Sequence, residues 1–327
     1  MGLIKNIAAS NPSAQAATGL HFNALRAELA QGLTEKQAQI APKYFYNPLG
    51  SKLFEAICQL DEYYLTRCEA ALFEQFGREI GDRAGTGVTL IDLGAGNCAK
   101  AAKLFSLLQP RQYVPVDISA EFLKAAVAGL QVAHPELPML PVAMDFSEGL
   151  HLPALVRHER RLFFYPGSSL GNFTPLQALQ FLQRVRKASS DAGDALLIGI
   201  DLVKDPALLE AAYDDALGVT AAFNRNILLA VNTVLGSDFR LRDWAHRVLF
   251  NAGQSRIEMH LQALCEVTLR WDGGVRHFAA GETIHTENSY KYTQANFLEL
   301  LEQAGFGAAQ CWTDAQNSFL VCYAKAV

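Results

Sequence analysis

The chain has 327 residues, half of them apolar and 19% charged, with a formal net charge of −5. This composition supports a large core and excludes a disordered chain, and an acidic balance without any Lys/Arg cluster excludes a nucleic-acid surface. No apolar run has membrane-spanning length, the six cysteines lack a C-x-x-C pair and the eight histidines lack metal-ligand spacing, so a cytoplasmic protein with reduced thiols and no metal is expected. Met1–Asn11 carries one lysine and no sustained apolar run, and a secretory leader is not expected. The length fits two domains or one large elaborated domain.

In chain order, Ala24–Ala30 suits an amphipathic helix that Gly32-Leu33-Thr34 ends. An aromatic turn bounded by Pro42 and Pro48 follows, and Ser51 is the expected N-cap of a helix over 51–57. Tyr44, Tyr46, Tyr63 and Tyr64 crowd this loop-rich region. On composition they read as amphipathic packing with hydroxyls reaching water, and an aromatic wall for a small cationic ligand is the alternative. From Ala70 a helix leads to the β-branched run 88–93, which holds Asp92 and runs into Gly94-Ala95-Gly96 and an Ala-rich helix start. Such a strand, tight glycine turn and helix N-terminus suits a ligand approached closely by backbone. The dinucleotide fingerprint would want Gly at position 99, where Ala99 is an allowed variant. The acid two residues before Gly94 is similar instead to the first motif of S-adenosylmethionine-dependent methyltransferases. A plain connection is also open on these residues alone.

Strand and helix then alternate. Tyr113–Asp117 is a second strand, and Asp117 stands about 20 residues past the glycine turn, where a doubly wound nucleotide fold places its ribose-binding acid. A helix over 119–131 starts at Ser119, 139–146 is a third strand again ending in an acid, and Arg161–Tyr165 opens a fourth that runs into the Gly/Ser turn Gly167–Asn172. Pro175–Lys187 is helical and Asp194–Val203 is a fifth strand, which predicts a parallel sheet covered on both faces. Residues 204–250 read as helical, and 256–271 and 276–287 alternate like antiparallel strands. This block is an insertion forming a second domain with the N-terminal region. A helix over 297–306 with a Gly C-cap precedes a hairpin of 309–313 and 318–324 at the sheet's edge. A doubly wound sheet finished by an antiparallel hairpin is the methyltransferase arrangement.

Taken together the chain resembles the S-adenosylmethionine-dependent histidine Nα-methyltransferases of ergothioneine biosynthesis, from about residue 40 to the C-terminus. The resemblance is carried by Tyr44-Phe45-Tyr46, 62–67 (EYYLTR), 92–96 (DLGAG), 167–172 (GSSLGN), 201–205 (DLVKD), 212–215 (AYDD), 221–226 (AAFNRN), Ile257-Glu258-Met259, Gly281-Glu282 and Thr286-Glu287-Asn288-Ser289. Asn47 stands where the family often has Asp, and Asn288 where a small apolar residue is usual, which touches the pocket edge. The resemblance implies an α/β fold with a Rossmann-like class I methyltransferase sheet and a second α+β substrate-binding domain. The donor domain is expected over 68–203 and 291–327, the discontinuous acceptor domain over 1–67 and 204–290. Gly94, Gly96 and Lys100 would hold the methionyl end of S-adenosyl-L-methionine, Asp117 its ribose, and Asp145 with Phe146 its adenine. Tyr63, Asn172, Tyr213, Met259, Glu287 and Ser289 would bind L-histidine, with Tyr46 and Tyr63 as the catalytic hydroxyls. The expected partner is the amino-acid substrate alone, without nucleic acid or membrane, and the expected form is a monomer.

Methyl transfer needs a neutral amine lone pair aimed at the methyl, whereas a free amino acid's amine, with a pKa of about 8, is mostly protonated near neutrality. A tyrosine hydroxyl could orient that lone pair and pass the proton towards water, and an aromatic wall would tolerate the growing cation. The amine keeps exchangeable protons after one transfer, so repetition to the trimethylated betaine, hercynine, is coherent. Asn172 and Tyr213 offer donors to a carboxylate, and Glu287 and Ser289, two apart on a strand, could read both imidazole nitrogens. The same chemistry on another amino acid or a histidine-derived metabolite is the alternative. A catalytically silent Rossmann-like binding protein is a third reading, and a nicotinamide dehydrogenase ranks last.

Overall fold

The computed structural model describes residues 12–146, 149–189, 191 and 193–327, with side chains from residue 22 onward; the leader expectation for Met1–Asn11 lies outside the described residues. The chain opens with helix α1 (Pro12–Thr34), a 3-10 turn over Pro42–Phe45, α2 (Pro48–Ile57) and α3 (Tyr64–Ala84). Strand β1 (Thr89–Leu93) is followed by two one-turn helices, α4 (Ala99–Ala102) and α5 (Phe105–Leu108). Next come β2 (Gln112–Asp117), α6 (Ala120–Ala133), β3 (Val142–Ala143), β4 (Arg161–Tyr165), α7 (Pro175–Ala188) and β5 (Ala195–Asp201). Helices α8 (Pro206–Ala211) and α9 (Val219–Leu235) lead to β6 (Trp244–Asn251), β7 (Arg256–Ala263), β8 (Val267–Trp271), β9 (Gly274–Phe278) and β10 (Thr283–Tyr290). Helix α10 (Gln294–Gln303) and strands β11 (Phe306–Thr313) and β12 (Phe319–Ala326) close the chain.

The main sheet has the order β11-β12-β5-β4-β1-β2-β3. Its pairings are parallel except that β12 runs antiparallel to β5 and β11 to β12. The fully buried runs Thr89–Leu93 and Ala195–Asp201 follow from a sheet covered on both faces. Side chains divide with period two: Leu90, Phe164 and Leu197 join the core under α3 and α5, while Ile91, Phe163 and Ile198 join the one under α7 and α10. Six of the seven strands run one way and β12 alone runs the other, which makes the expected class I methyltransferase sheet.

Against one end of this sheet sits an antiparallel sheet of order β10-β7-β6, with β8-β9 as a separate hairpin. Helices α1, α2 and α9 pack there, and Leu29, Ile57, Phe223 and Ile257 belong to the same continuous core as Leu90 and Phe164. Helix α9 begins where the Asp215 carboxylate accepts the N–H groups of Val219 (2.9 Å) and Thr220 (2.7 Å), and ends at Gly236, whose φ of 73° suits glycine.

Several local expectations are corrected. Helix α2 starts at Pro48, and Asn47, not Ser51, caps it by accepting the Gly50 N–H at 2.7 Å; proline at the first helical position sets that start. Ser119 precedes α6 without a side-chain cap bond, and α6 runs past Gly129 to Ala133. The third strand shrinks from 139–146 to Val142–Ala143: Met139 keeps an isolated bridge to Tyr113, and Pro141 carries no N–H to continue the ladder between them. Residues 244–250, expected as helix, form β6 paired with β7, and each of the two long alternating runs splits into two strands. The terminal hairpin does sit at one edge of the sheet, with β11 outermost and β12 joining it to β5.

Candidate active site

The glycine turn leaves β1 at the carboxyl edge of the sheet. Gly94 and Gly96 take φ of 71° and 52°, values that L side chains rarely adopt, and Cys98 follows at 62°. The Gly94 and Ala95 N–H groups bond the Val116 carbonyl at 2.9 and 3.1 Å. Asp117, ending β2, accepts the Gly96 N–H at 2.9 Å and the Ser119 N–H at 2.9 Å, so one carboxylate ties the turn to the next strand. The Ala-rich segment after the turn is broken into the single turns α4 and α5, not the continuous helix its composition suggests.

This edge opens onto a cavity of about 1240 Å³. Gly94, Gly96, Lys100, Asp117, Asp145 and Phe146 line one part of it, and Tyr46, Tyr63, Asn172 and Glu287 line another. Its volume exceeds the roughly 300–1,000 Å³ usual for one small ligand, and so leaves room for two. Phe146 meets Tyr165 edge-on at 5.9 Å and faces Gly94, while Asp145 lies 3.8 Å from Lys43 of the N-terminal 3-10 turn.

Two acids outside the expected set serve the donor side. Glu69 of α3 is 1% exposed; one oxygen accepts the Lys100 ammonium at 2.6 Å and the other the Gly167 N–H at 2.7 Å. A Cβ at Gly199 would stand 2.2 Å from that carboxylate, so glycine in β5 is what admits it. Burial acts to lower the Lys100 pKa, but Glu69 raises it above the usual lysine range. Asp92 is 2% exposed, takes a 2.7 Å hydrogen bond from the Tyr113 hydroxyl, and is pushed up to about 7 by burial. A buried glycine in a strand is the one signal that could have pointed to Glu69.

On the acceptor side, rings run from Tyr46 to Phe54 (5.9 Å), Phe54 to Tyr63 (6.2 Å) and Tyr63 to Tyr213 (6.1 Å). Burial raises both the Tyr46 and the Tyr63 hydroxyl well above the usual phenol range, so both stay neutral. Asn172 ends a 3-10 turn (Ser169–Asn172) held hard against β10, since a Cβ on Gly171 would meet the Tyr290 carbonyl oxygen at 2.8 Å. Glu287 stands on β10 beyond a bulge after His285, and burial pushes its carboxyl up to about 8 against the opposing pull of Lys291.

Tyr213, Met259 and Ser289 are buried behind residues of the cavity wall rather than exposed on it. Met259 is buried opposite Glu287 in the β7–β10 register. The Ser289 hydroxyl bonds Tyr213 (2.7 Å) and Lys291 (2.8 Å), and the unbroken β10 register from Glu287 to Tyr290 keeps it on the same face of the strand as Glu287. His285, Thr286 and Asn288 line the cavity as well.

Among the described residues one group could hold a metal: Glu258, His260 and His285, with ligand atoms within 4.8 Å of one another. The Glu258 carboxylate already accepts Arg256 (2.7 and 2.6 Å), Asn251 (2.9 Å) and His260 (3.0 Å). Burial raises its pKa, but these hydrogen bonds win and hold it at about 2. Burial and His260 lower His285 to about 4, so it is neutral near pH 7. Arg256, Glu258 and His260 thus form a hydrogen-bonded chain at the pocket's flank, while His260 Nδ1 and His285 Nε2 are buried without a hydrogen-bond partner among the described residues.

Among the described residues no helix is long and apolar enough to cross a membrane. A profile of the histidine-specific, S-adenosylmethionine-dependent methyltransferase family matches residues 25–326. The chain is 38% identical over 307 residues to a histidine N-alpha-methyltransferase of Mycolicibacterium smegmatis, covering 90% of this chain and 93% of that protein. It is 37% identical over 310 residues to the protein of that name from Mycobacterium tuberculosis, with the same coverage. An ergothioneine biosynthesis protein 1 of Neurospora crassa is 29% identical over 294 residues, 88% of this chain and 33% of that longer protein.

Proposed function

The chain belongs to the histidine-specific, S-adenosylmethionine-dependent methyltransferases, and from that premise we propose that it methylates the α-amine of L-histidine successively to hercynine, the first step of ergothioneine biosynthesis. The observation that carries the reading is one cavity joining the glycine turn and its acids to Tyr46, Tyr63, Asn172 and Glu287.

The residues present fit S-adenosylmethionine. Asp117 spends its bonds on two backbone N–H groups, which leaves further carboxylate lone pairs for a ribose diol. A Cβ at Gly96 would project into open space, so the turn leaves room for the methionyl end beside Lys100. Asp145 and Phe146 offer a carboxylate and a ring face for adenine. When bound, S-adenosylmethionine supplies an electrophilic methyl on its sulfonium.

The chain's own part is to hold the amine. Tyr46 and Tyr63 remain phenols, so they orient the neutral lone pair by hydrogen bonding and line a wall that tolerates the methylated ammonium. Asn172 offers its amide to the carboxylate, and Glu287 accepts from an imidazole N–H. In this assignment residues 68–203 with 291–327 serve the donor, and 1–67 with 204–290 serve the acceptor. One chain supplies the whole cavity, which suits a monomer, and a cytoplasmic location is part of the same proposal.

Incubation with S-adenosylmethionine and histidine, read by mass spectrometry, is expected to give one-, two- and three-methyl products. No S-adenosylhomocysteine from any amino acid would return the protein to a binding role. Asn288 on the cavity lining favours one second reading, a different acceptor, and a panel of amino acids and histidine derivatives separates the two.

A further inference from the structure

Behind the acceptor wall lies a buried charge cluster that the proposed chemistry leaves unexplained. Asp201, fully buried at the end of β5, receives the Lys291 ammonium at 2.7 Å, the Lys204 ammonium at 2.5 Å and the Tyr64 hydroxyl at 2.8 and 2.9 Å. Lys291 is 3% exposed. Two ammoniums against Asp201 leave one positive charge over, since the Glu287 carboxyl that Lys291 also pulls on is pushed up to about 8 by burial and stays mostly protonated near pH 7; one lysine with Tyr64 would already satisfy Asp201. An unbalanced buried cation is costly, so the second lysine calls for another anion.

Hydrogen counting shows where that anion would be felt. Lys291 has three N–H groups and points them at Asp201, the Ser289 hydroxyl (2.8 Å) and the Tyr213 hydroxyl (3.1 Å). Those two hydroxyls lie 2.7 Å apart and share one of their two protons. The other proton has no taker within this set, so the ammonium obliges the pair to act as a donor. The pair adjoins the cavity: the Tyr213 ring meets Tyr63, and the Ser289 oxygen lies 3.5 Å from a Cβ placed on Gly171, next to Asn172.

We propose that Lys291 is a positioning residue for the acceptor's carboxylate, supplying the surplus positive charge and fixing Tyr213 and Ser289 as donors towards it. The inference rests on the reading that the acceptor is a free amino acid. It assigns to Lys291 a preference for a carboxylate-bearing substrate over its neutral amide.

The test is calorimetry of L-histidine and L-histidinamide with S-adenosylhomocysteine present, on wild type, Lys291→Met and Lys291→Arg. Wild type is expected to prefer histidine by about tenfold or more, the scale of a buried charge contact. Lys291→Met is expected to lose about tenfold for histidine and under about twofold for the amide, while Lys291→Arg keeps most of the preference. Asp201 keeps Lys204 and Tyr64 in Lys291→Met, and retained S-adenosylhomocysteine affinity shows that this variant is folded. Unchanged histidine affinity, or an equal loss on both ligands, overturns the proposal. So does a wild type that binds histidine and its amide alike, whether or not any variant folds. If wild type methylates another amino acid, the histidine reading fails separately, and the same comparison is made with that acid and its amide.

Discussion

At the scale of single residues, Glu287 is the most informative side chain. Glu287→Ala is expected to weaken histidine binding by tenfold or more, on the order of a lost charged hydrogen bond, and to spare S-adenosylmethionine. Unchanged histidine affinity in calorimetry would remove Glu287 from the acceptor site. Its carboxyl, held up at about 8 against an ordinary 4.5, also sets a pH signature. Because the native pKa exceeds the unfolded one, the group's contribution to stability is complete below the unfolded value and is lost as pH rises through about 8. Glu287→Gln cannot ionise and should melt several degrees above wild type at a pH near 8.5, with little gain near pH 5. Equal melting points at the higher pH would refute the burial of that carboxylate. In the sequence Glu287 was legible only through family resemblance; spacing alone allowed an ordinary edge-strand acid. Glu69 was not legible, because its role depends on Gly199, far away in the chain, leaving space for it. Gly199→Ala should cost about 1–3 kcal/mol by overpacking and displace Glu69 from Lys100, which weakened S-adenosylmethionine binding would report.

At the scale of elements, the alternation of strand and helix from β1 to β5 was readable, because parallel strands buried on both faces are near-continuous apolar runs. The acceptor block was less readable. Strand β6 has buried Trp244 followed by a mixture of half-buried and exposed positions, and only its pairing with β7 decides its form. Capping was misplaced by four residues for a similar reason: Ser51 looks like a cap, but the proline before it fixes the start of α2. Asn47 does more than cap, since its side-chain oxygen also accepts the Asn226 amide of α9 at 2.9 Å. Asn47→Ala is therefore expected to lower stability by about 1–2 kcal/mol, the upper range for a cap, in a denaturant melt. Asn47→Asp, which keeps the acceptor, should cost little.

At the scale of the whole molecule, the apolar core runs without interruption from Leu29 through Phe223 and Ile257 to Leu90 and Phe164, across the boundary between the proposed acceptor and donor parts. Shared burial couples the two parts energetically, so calorimetric unfolding is expected to be a single transition that moves upward as one with S-adenosylmethionine. Two resolved transitions would show that the parts unfold independently. This continuity could not be read from the chain, because periodicity shows which face of an element is apolar but not which distant element covers it.

The close approach at Gly171 sets the mechanics of this arrangement. Where β10 ends, Gly171 abuts the Tyr290 backbone, Tyr292 donates to the Asp201 carbonyl (3.2 Å), and Val203 donates to the Tyr292 carbonyl (3.0 Å). These ties, with the Lys291–Asp201 pair, fasten the two sheets at this part of the cavity's rim. Plates fastened along one margin swing more readily than they slide. Any widening to admit a bulkier acceptor would then proceed like a jaw pivoting about Gly171 and Tyr290, with the largest travel at the far rim, where Lys43 faces Asp145.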